Sequence, residues 1–338
     1  MVRLQDYLNS FRNGNHLPDD QAEPFFDSLL AEESEELLAD ILKTWNAKGT
    51  SEGELYSLSA IMRKRAVKVK SVHKTFVDAV GTGGSSAKTF NVSTAAAFVI
   101  AGAGVPVAKH GNRAATSKSG SADVLSALGV NPAVEAVKAE ESLNTIGICF
   151  MFAPNFHRLS PVLAKVRRKL GVPTIFNNLG PLCNPAGAPH QIIGVWHKDL
   201  VETTANILAR LGTEKSWIVH GEDGLDEITL NGVTLVAEIE GGSVRYFQVS
   251  ASDFGLHSSS LDTARRSTPE ESAALIRSIL SGECTDSAAL NLVLINAAAP
   301  IYLAGHAATW VDGIKLAKAS LDSGSALRKL DELIKITN

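Results

Sequence analysis

The spacing of apolar residues divides the chain into a helical beginning and a longer part of mixed character. From residue 1 to about 70, apolar positions recur at helical spacing only. Ser34 and Gly49 are typical first and last residues of one helix, and Ser51 with Glu54 forms the capping-box pattern that begins the next. The pattern therefore predicts an all-helical N-terminal part.

Beyond Lys74, short apolar runs alternate with helical patterns. The runs predicted to be buried strands are Phe76–Val80, Val105–Ala108, Ile146–Phe152, Ile192–Trp196 and Trp217–His220. The helices predicted between them are Ser93–Ala103, Ser121–Leu128 and Leu200–Leu211. Such alternation predicts an α/β fold, with a mainly parallel sheet flanked by helices and a smaller all-helical domain.

The remainder of the chain is predicted to add a hairpin and further helices. Thr234–Glu240 and Val244–Val249 flank two glycines, which suit a tight hairpin turn. Helical stretches follow at Pro269–Leu280, Ala288–Leu303 and Val311–Leu321, with a tail to Ile336. The longest nearly apolar run, 95–108, contains two glycines and a proline and is too short for a membrane span, so it predicts a helix, a turn and a strand.

Composition narrows the class of protein. The 338 residues are 45 % hydrophobic and 20 % charged, with a net charge of −4, which is typical of a globular protein without a general attraction to nucleic acid or anionic lipid. Cys149, Cys183 and Cys284 are far apart, so a disulfide framework or zinc cluster is not expected. Since residues 1–10 also lack an apolar signal core, a cytoplasmic location is expected.

Two loops that follow predicted strands carry small, hydroxylated and basic residues. Residues 81–86 read Gly-Thr-Gly-Gly-Ser-Ser, before a helix that Asn91 or Ser93 could cap. Glycines let backbone N–H groups approach an anion, and a helix N-terminus adds positive partial charge. Residues 109–113 read Lys-His-Gly-Asn-Arg, and 114–121 is again small, hydroxylated and basic. Either loop alone suits an ordinary turn, but together they predict an oxygen-rich anion such as a pyrophosphate.

A pair of carboxylates follows the fifth predicted strand. Asp226 and Glu227 could hold Mg²⁺ beside a phosphate, although Glu222 and Asp223 are nearby competitors. Acidic pairs are also common on protein surfaces, so this motif has weight only beside the two anion-binding loops.

Two basic segments leave their roles open. The stretch from His157 to Arg168 is predicted to be helical, with Arg167 about three turns beyond His157, where its planar fork could bond both oxygens of a carboxylate. The residues alone favour a solvated helix end for Arg167. The basic cluster from Arg63 to Lys74 could bind phosphate, but a solvated helix end and linker is the simpler interpretation.

In this order, the motifs resemble the anthranilate phosphoribosyltransferases over essentially the whole chain. The matching segments are 81–84, 91–94, 109–113, 118–123, 177–185 and 225–227. The resemblance implies a helical domain of residues 1–72 with an inserted piece near 168–190, and an α/β domain of residues 73–338. It also implies an active site in the cleft between them, and a homodimer joined through the helical domains.

The resemblance further implies which residues contact each ligand. Phosphoribosyl pyrophosphate would contact Gly81, Gly84, Ser85, Thr89, Asn91, Val92, Ser93, Thr94, Lys109, His110, Gly111, Asn112, Arg113, Ala114, Ala115, Thr116, Ser117 and Ser121. Mg²⁺ would contact Ser93, Asp226 and Glu227. Anthranilate would contact Gly81, Asn112, His157 and Arg167, with His110 near its ring. The candidate catalytic residues are Lys109, His110 and Arg167.

The implied reaction joins the ribose carbon of phosphoribosyl pyrophosphate to the anthranilate nitrogen, in tryptophan biosynthesis. Ser85 and Ser86 stand where the family usually has Asp and Gly, Arg158 where Pro is common, and Cys183 where Thr is usual.

Two alternative functions stay open. One is a pyrimidine nucleoside phosphorylase of the same fold, whose motifs match less well, and the other is a catalytically silent nucleic-acid-binding relative, which the acidic chain and its retained motifs disfavour.

Overall fold

The N-terminal part of the chain is helical, as predicted. The computed structural model describes residues 3–83, 85, 87, 89–114 and 119–338. The first helices are α1 (Leu4–Arg12), α2 (Ala22–Ala31), α3 (Glu35–Lys48) and α4 (Glu52–Arg65). Ser34 caps α3 by accepting from the backbone N–H of Leu37, and Ser51 and Glu54 form the predicted capping box of α4. Apolar faces of all four helices pack together around Trp45.

In the described part of the chain, seven strands form one sheet in the order β3-β2-β1-β4-β5-β6-β7. They are β1 (Val77–Gly81), β2 (Val107–Gly111), β3 (Ile148–Phe152), β4 (His190–Gly194), β5 (Lys215–Gly221), β6 (Val233–Glu240) and β7 (Ser243–Ser250). Pairs among β1 to β5 are parallel, and β6 and β7 add an antiparallel hairpin. The mainly parallel sheet and the predicted hairpin are confirmed.

Helices connect the strands and cover the sheet. They are α5 (Val92–Gly102), α6 (Ser121–Ala127), α7 (Ala136–Ile146), α8 (Ala153–His157), α9 (Pro161–Leu170), α10 (Ile175–Leu182), α11 (Leu200–Arg210), α12 (Pro269–Ser281), α13 (Ser287–Leu303), α14 (Trp310–Asp322) and α15 (Ser325–Thr337). Short 3-10 helices lie at Asp19–Gln21, Ala251–Phe254 and Asp262–Ala264. The run 95–108 is a helix, a turn and a strand, as expected, since α5 ends at Gly102 and β2 begins at Val107.

The two faces of the sheet belong to different cores. Ile192 of β4 packs with α5 and α13, whereas its neighbour Ile193 packs with the N-terminal helices, α9 and α10, because successive strand side chains point to opposite faces. The helices α9 and α10 therefore share a core with α1 to α4. The division at residue 72 with an inserted piece near 168–190 stays a prediction that this shared core supports.

The prediction of one helical stretch from His157 to Arg168 was wrong. Helix α8 ends at His157, and Arg158 has a φ of 49° and a ψ of 43°, in the left-handed region. A new helix begins at Pro161, which has no backbone N–H to continue a preceding helix, and the Ser160 hydroxyl accepts from the Leu163 N–H. The position of Arg167 relative to His157 therefore depends on this break and not on helical spacing.

The described residues contain no helix that is both long and apolar enough to cross a bilayer.

Candidate active site

A cleft with about 1170 Å³ of empty space, a figure that includes open solvent, lies at the C-terminal ends of β1 and β2. Its sheet side is formed by the residues after these strands, the N-terminus of α5 and Asp226 with Glu227 after β5. Its helical side includes Met62 of α4, Arg167 of α9 and Phe176 of α10. Because the strand order changes direction at β1, this is the position where open α/β sheets bind ligands.

Most predicted ligand contacts that the structure describes line this cleft. They are Gly81, Asn91, Ser93, Lys109, His110, Gly111, Asn112, Arg113, Ala114, Ser121, His157, Arg167, Asp226 and Glu227. The structure therefore brings together residues from all four segments that the sequence analysis selected. The predictions for Gly84, Ala115, Thr116 and Ser117 lie outside the described residues.

Among the described residues, Ser85, Thr89, Val92 and Thr94 do not line the cleft. Thr89, Val92 and Thr94 are buried, the latter two because α5 is surrounded by core on nearly every side. The Ser85 hydroxyl donates to the Gly224 carbonyl at 2.7 Å and accepts from a backbone N–H at 3.2 Å. The hydroxyls of Thr89 and Thr94 are buried and have no hydrogen-bond partner among the described residues, so the predicted contacts of these four residues stay predictions.

Asp226 lies against the ends of β1 and β4 because both strands end in glycine. A Cβ added to Gly81 would lie 2.7 Å from Asp226 Oδ2, and one added to Gly194 would lie 1.6 Å from the Asp226 carbonyl oxygen. The carboxylate also accepts from the Gly83 N–H at 3.0 Å. Gly81 is thus needed to admit the carboxylate, a reason that the sequence analysis did not identify.

The competing carboxylates have other roles. Asp223 accepts from the Thr229 hydroxyl at 2.7 Å, and exposed Glu222 accepts from a backbone N–H at 3.4 Å. Neither lines the cleft in the described structure. Asp226 and Glu227 are therefore the pair placed to meet a ligand.

The donor set around this pair fits Mg²⁺. Asp226, Glu227 and the Ser93 hydroxyl offer only oxygen, and all three residues line the cleft. Across the part of the chain that the structure describes, no group of three or more His, Cys, Asp and Glu side chains could hold a metal. Two carboxylates fit Mg²⁺ nonetheless, since this ion commonly takes one or two protein carboxylates and completes its shell with water and substrate phosphates.

Lys109 is a buried cation at the sheet side of the cleft. Its Nζ donates to the Ala79 carbonyl at 2.5 Å and to Ser93 Oγ at 3.2 Å. Burial lowers the pKa of Lys109 to about 8, although the charges of Asp78 and Glu227 act in the opposite direction. An ammonium group that bonds only neutral oxygens here is well suited to hold an anionic ligand.

Asp78 supports Lys109 and His110 from below the cleft. Its carboxylate accepts from the Asn184 amide at 2.7 Å and from the His110 backbone N–H at 3.2 Å. Burial raises the pKa of Asp78 to about 6. Asn184 also donates to the Ala108 carbonyl at 2.9 Å, so this network joins β1, β2 and the segment after α10.

His110 and His157 form a neutral pair. Their Nε2 atoms are 3.2 Å apart, and the rings meet edge to face with centroids 5.0 Å apart. Because a carbonyl oxygen only accepts, we assign His110 Nδ1 as the donor to the Gly180 carbonyl at 3.1 Å and His157 Nε2 as the donor to His110. Burial lowers the pKa of His157 to about 4 and the pKa of His110 well below its usual range. Both rings are therefore weak bases.

Arg167 lines the cleft, and the described residues do not use all of the hydrogen-bond donors of its guanidinium. Its Nε is closed to solvent and has no hydrogen-bond partner among the described residues, and its Cζ lies 4.8 Å from the centroid of the Phe176 ring. Burial lowers the pKa of Arg167 to about 10, so it stays charged at neutral pH. A guanidinium beside an aromatic ring suits an aromatic carboxylate.

Arg113, predicted to contact the substrate, is held by Asp123. Its Nη1 donates to Asp123 Oδ1 at 2.8 Å, and Asp123 Oδ2 accepts from the N–H groups of Ala114 and Gly120. A Cβ added to Gly120 would lie 2.3 Å from the Ala114 nitrogen. Asp123 and Gly120 thus close the two ends of the second anion-binding loop upon each other.

The helical side of the cleft contains residues to which the sequence analysis gave no role. They are Met62, Leu159, Phe176, Asn177, Gly180 and Pro181. The amide of Asn177 donates to the Thr82 carbonyl at 3.4 Å, which joins α10 to the glycine-rich loop. Segment 177–185 matched a family motif and could have indicated this, whereas Met62 has the same pattern as the core residues of α4.

Comparisons with known proteins agree with this arrangement. The family described as "Glycosyl transferase family, a/b domain" matches residues 73–327. The anthranilate phosphoribosyltransferase of Pelotomaculum thermopropionicum is 43 % identical over 335 residues, which cover 99 % of this chain and 96 % of that protein. The crystal structure of the Thermus thermophilus anthranilate phosphoribosyltransferase is 36 % identical, has a TM-score of 0.87 and is matched over 98 % of each chain.

A further solved structure is the Saccharomyces cerevisiae anthranilate phosphoribosyltransferase in complex with PRPP and Mg. It is 28 % identical with a TM-score of 0.88, over 99 % of this chain and 97 % of that chain. The sheet, the cleft and the matched a/b domain define the class, which is that of the glycosyltransferases. Within it, the chain belongs to the anthranilate phosphoribosyltransferase family.

Proposed function

We propose that this protein transfers the phosphoribosyl group of phosphoribosyl pyrophosphate to the amine of anthranilate, with release of pyrophosphate, as a step of tryptophan biosynthesis. One observation carries the proposal. A single cleft holds buried Lys109 on its sheet side and Arg167 over the Phe176 ring on its helical side. These two kinds of cationic site match a phosphorylated sugar and an aromatic carboxylate.

The sheet side is the proposed site for phosphoribosyl pyrophosphate. Asn91 and Ser93 line the cleft at the N-terminus of α5, where backbone N–H groups add positive partial charge. Lys109 bonds Ser93 and so brings a full charge to the same place. Asp226, Glu227 and Ser93 would hold Mg²⁺, which when bound neutralises charge on the pyrophosphate oxygens.

The helical side is the proposed site for anthranilate. Arg167 would bond its carboxylate, and Phe176, His110 and His157 would lie near its ring, with Gly81 and Asn112 at the sheet side. An arylamine is neutral at pH 7 and needs no strong base before it attacks. The low pKa values of the two histidines therefore fit the reaction, and positioning of the ring is their proposed role.

The main work of the protein is positioning and electrostatic stabilisation. The bond from the ribose carbon to pyrophosphate breaks as the anthranilate nitrogen approaches, and positive charge develops on the sugar. The new bond from nitrogen to carbon replaces the broken one, and the nitrogen then releases one proton. Lys109 and the N-terminus of α5 stabilise the negative charge that develops on the departing pyrophosphate. Alignment of amine and ribose can contribute as much as ~7–11 kcal/mol in favourable cases.

The test is turnover by the purified protein. Anthranilate fluorescence should fall when phosphoribosyl pyrophosphate and Mg²⁺ are present together, and should stay constant when either is omitted or when EDTA is added. No turnover, together with phosphate-dependent cleavage of a pyrimidine nucleoside, would favour the phosphorylase alternative.

The quaternary arrangement is part of the same proposal. We infer a helical domain of residues 1–72 joined by the piece near 168–190, an α/β domain of residues 73–338, and a cytoplasmic homodimer that associates through the helical domains. The core that α9 and α10 share with α1 to α4, and the cleft residues on that side, support the domain division, whereas the homodimer and its location are what the family resemblance implies. Sedimentation equilibrium at several concentrations tests the dimer.

A further inference from the structure

The C-terminal end of α10 is held by side chains from other elements of the fold. His110 of β2 donates to the Gly180 carbonyl at 3.1 Å, and Gln191 of β4 donates to the Pro181 carbonyl at 3.2 Å. The last carbonyls of a helix lack the regular partner one turn further on. The Gly180 carbonyl also accepts from the Cys183 backbone N–H at 3.1 Å, so His110 adds a second donor there, and Gln191 supplies a donor to the Pro181 carbonyl.

Arg63 of α4 holds the next carbonyl and extends the contact to a second helix. Its Nε donates to the Leu182 carbonyl at 2.5 Å, its Nη1 to the Leu211 carbonyl at the end of α11 at 3.2 Å, and its Nη2 to Gln191 Oε1 at 3.5 Å. A planar guanidinium can donate in three directions at once. The negative ends of two helix dipoles also favour a cation at this position.

This environment corrects the interpretation as a solvated helix end or phosphate site for Arg63 alone among the basic cluster. Arg63 is half-buried, bonds only to neutral oxygens in these contacts and does not line the described cleft. Arg65, two residues further on, behaves as the pattern predicted, since it is exposed and pairs with Glu23 and Asp27. At the C-terminal end of α4, Arg63 therefore bonds carbonyl oxygens of other elements, whereas Arg65 forms ion pairs at the surface.

Helix α10 forms much of the aromatic wall of the cleft. Phe176, Asn177, Gly180 and Pro181 of this helix line the cleft, and Arg167 lies over Phe176. A shift of α10 would displace the Phe176 ring and the guanidinium packed on it. Lys109 would keep its bonds to Ala79 and Ser93, because these contacts lie within the sheet and α5.

We propose that Arg63 is a positioning residue for anthranilate. By fixing the ends of α10 and α11 against α4, it sets the distance between the aromatic wall and the sheet side of the cleft. It leaves Lys109 and its bonds to Ala79 and Ser93 on the phosphoribosyl pyrophosphate side in place. This inference rests on the proposed function, since it takes the α10 side to be the anthranilate site.

The test compares three variants by the KM of each substrate. Arg63→Lys keeps the charge but cannot reach acceptors on two helices and Gln191 together. Loss of one or two hydrogen bonds should raise the KM for anthranilate by about fivefold to tenfold, with the KM for phosphoribosyl pyrophosphate within about twofold of wild type. Gln191→Met removes the neighbouring donor to Pro181 and should give the same pattern. Arg65→Lys is the matched control and should change neither KM.

The outcomes separate this inference from the proposed function. An active wild type with an unchanged Arg63→Lys variant, or with both KM values raised equally, overturns the role of Arg63 alone. If Arg63→Lys does not fold, the Gln191→Met variant decides by the same two KM values. Direct binding of anthranilate, followed by its fluorescence, is measured in parallel. A wild type that neither turns over nor binds anthranilate overturns both proposals.

Discussion

At the scale of single residues, the cleft depends on charges whose partners the protein only partly supplies. Arg167 is one such group, because its Nε has no hydrogen-bond acceptor among the described residues and its other close contact is an aromatic ring. Lys109 is another, because the atoms it bonds are neutral oxygens. Burying a cation in this way costs free energy, which an anionic ligand can recover.

We expect Arg167→Ala to lower kcat/KM for anthranilate by about 10- to 150-fold, since a charge-assisted hydrogen bond contributes ~1.5–3 kcal/mol. Steady-state kinetics with anthranilate and with an arylamine that lacks the carboxylate would measure this, and the loss should be smaller for the second amine. Arg168→Ala, an exposed neighbour, is the control. Equal losses with both amines would mean that Arg167 acts through folding or through general electrostatics.

The paired carboxylates should serve the metal and not the core. Asp226→Ala combined with Glu227→Ala should nearly abolish Mg²⁺-dependent turnover while the urea midpoint stays close to that of wild type, because both residues are half-buried at the cleft. Glu222→Ala, on the exposed side of the same loop, should retain activity. Near-normal turnover by the double variant would show that the pair is only surface charge.

Ser85 connects the glycine-rich loop to the loop that carries the carboxylates. Its bond to the Gly224 carbonyl lies two residues before Asp226. A new carboxylate ~5 Å from an existing charge would interact by ~3 kcal/mol at an effective dielectric near 20. Ser85→Asp should therefore alter the Mg²⁺ optimum, or inhibition at high Mg²⁺, more than the KM for anthranilate.

A Mg²⁺ titration at fixed ionic strength measures this effect. Ser85→Ala removes the bond to Gly224 without adding charge, so it separates the two causes. Superimposable profiles for Ser85→Asp and wild type would show that the substitution is neutral.

At the scale of elements, local signals in the sequence were sufficient for the strands and for several helix ends. Apolar runs located β1 to β5, and the Ser51 and Glu54 pair located the start of α4, because these signals depend on neighbouring residues. The break after His157 could not be predicted in this way. Arg158 is an unusual residue for a left-handed conformation, and its φ of 49° occurs at the junction between α8 and α9.

The positive φ of Arg158 leads to a prediction about the free energy of unfolding. Arg158→Gly should leave the free energy of unfolding unchanged or raise it by up to about 1 kcal/mol, because glycine adopts positive φ without strain. Arg158→Pro should lower it by about 1–3 kcal/mol, because the proline ring fixes φ near −65°. Urea unfolding of both variants tests this. A proline variant as stable as the glycine variant would show that the turn can re-form around proline.

At the scale of the whole molecule, the sequence predicted which loops meet but not what holds them in place. The oxygens that Arg63 bonds belong to residues 119, 128 and 148 positions away along the chain. Such distant partners leave no local pattern, so half-buried Arg63 could not be told from the other cations of the basic cluster. The same limit applies to Gly81. A side chain at this position would collide with the carboxylate of Asp226, which lies far away along the chain.

The pair of buried His110 and half-buried His157 makes the stability of the protein depend on pH. Burial lowers the pKa of His157 from its ordinary value of 6.5 to about 4. Between these values the unfolded chain binds the proton and the folded protein does not, so stability is lost as pH falls below 6.5 and the loss is complete near pH 4. From pH 7 to pH 5 this residue should account for up to about 2 kcal/mol.

Urea unfolding at the two pH values checks this expectation. His157→Gln should lose less stability than wild type over that interval. His257→Gln, which removes an exposed histidine, should lose as much as wild type. Equal pH dependence in all three proteins would mean that other groups dominate the acid response.

The position of Asp226 also affects the order in which the cleft is completed during synthesis. It rests on the ends of β1 and β4, and the pairing of these strands, Val77 with His190, is the most distant in sequence among the parallel pairs of the described sheet. A chain emerging from the ribosome has both anion-binding loops and Arg167 before residues 226 and 227 exist. Loop closure this long is slow, and domains fold as units during synthesis. Asp226 and Glu227 are therefore the last of the residues lining the described cleft to be synthesised, so a chain that ends before them lacks the proposed metal ligands.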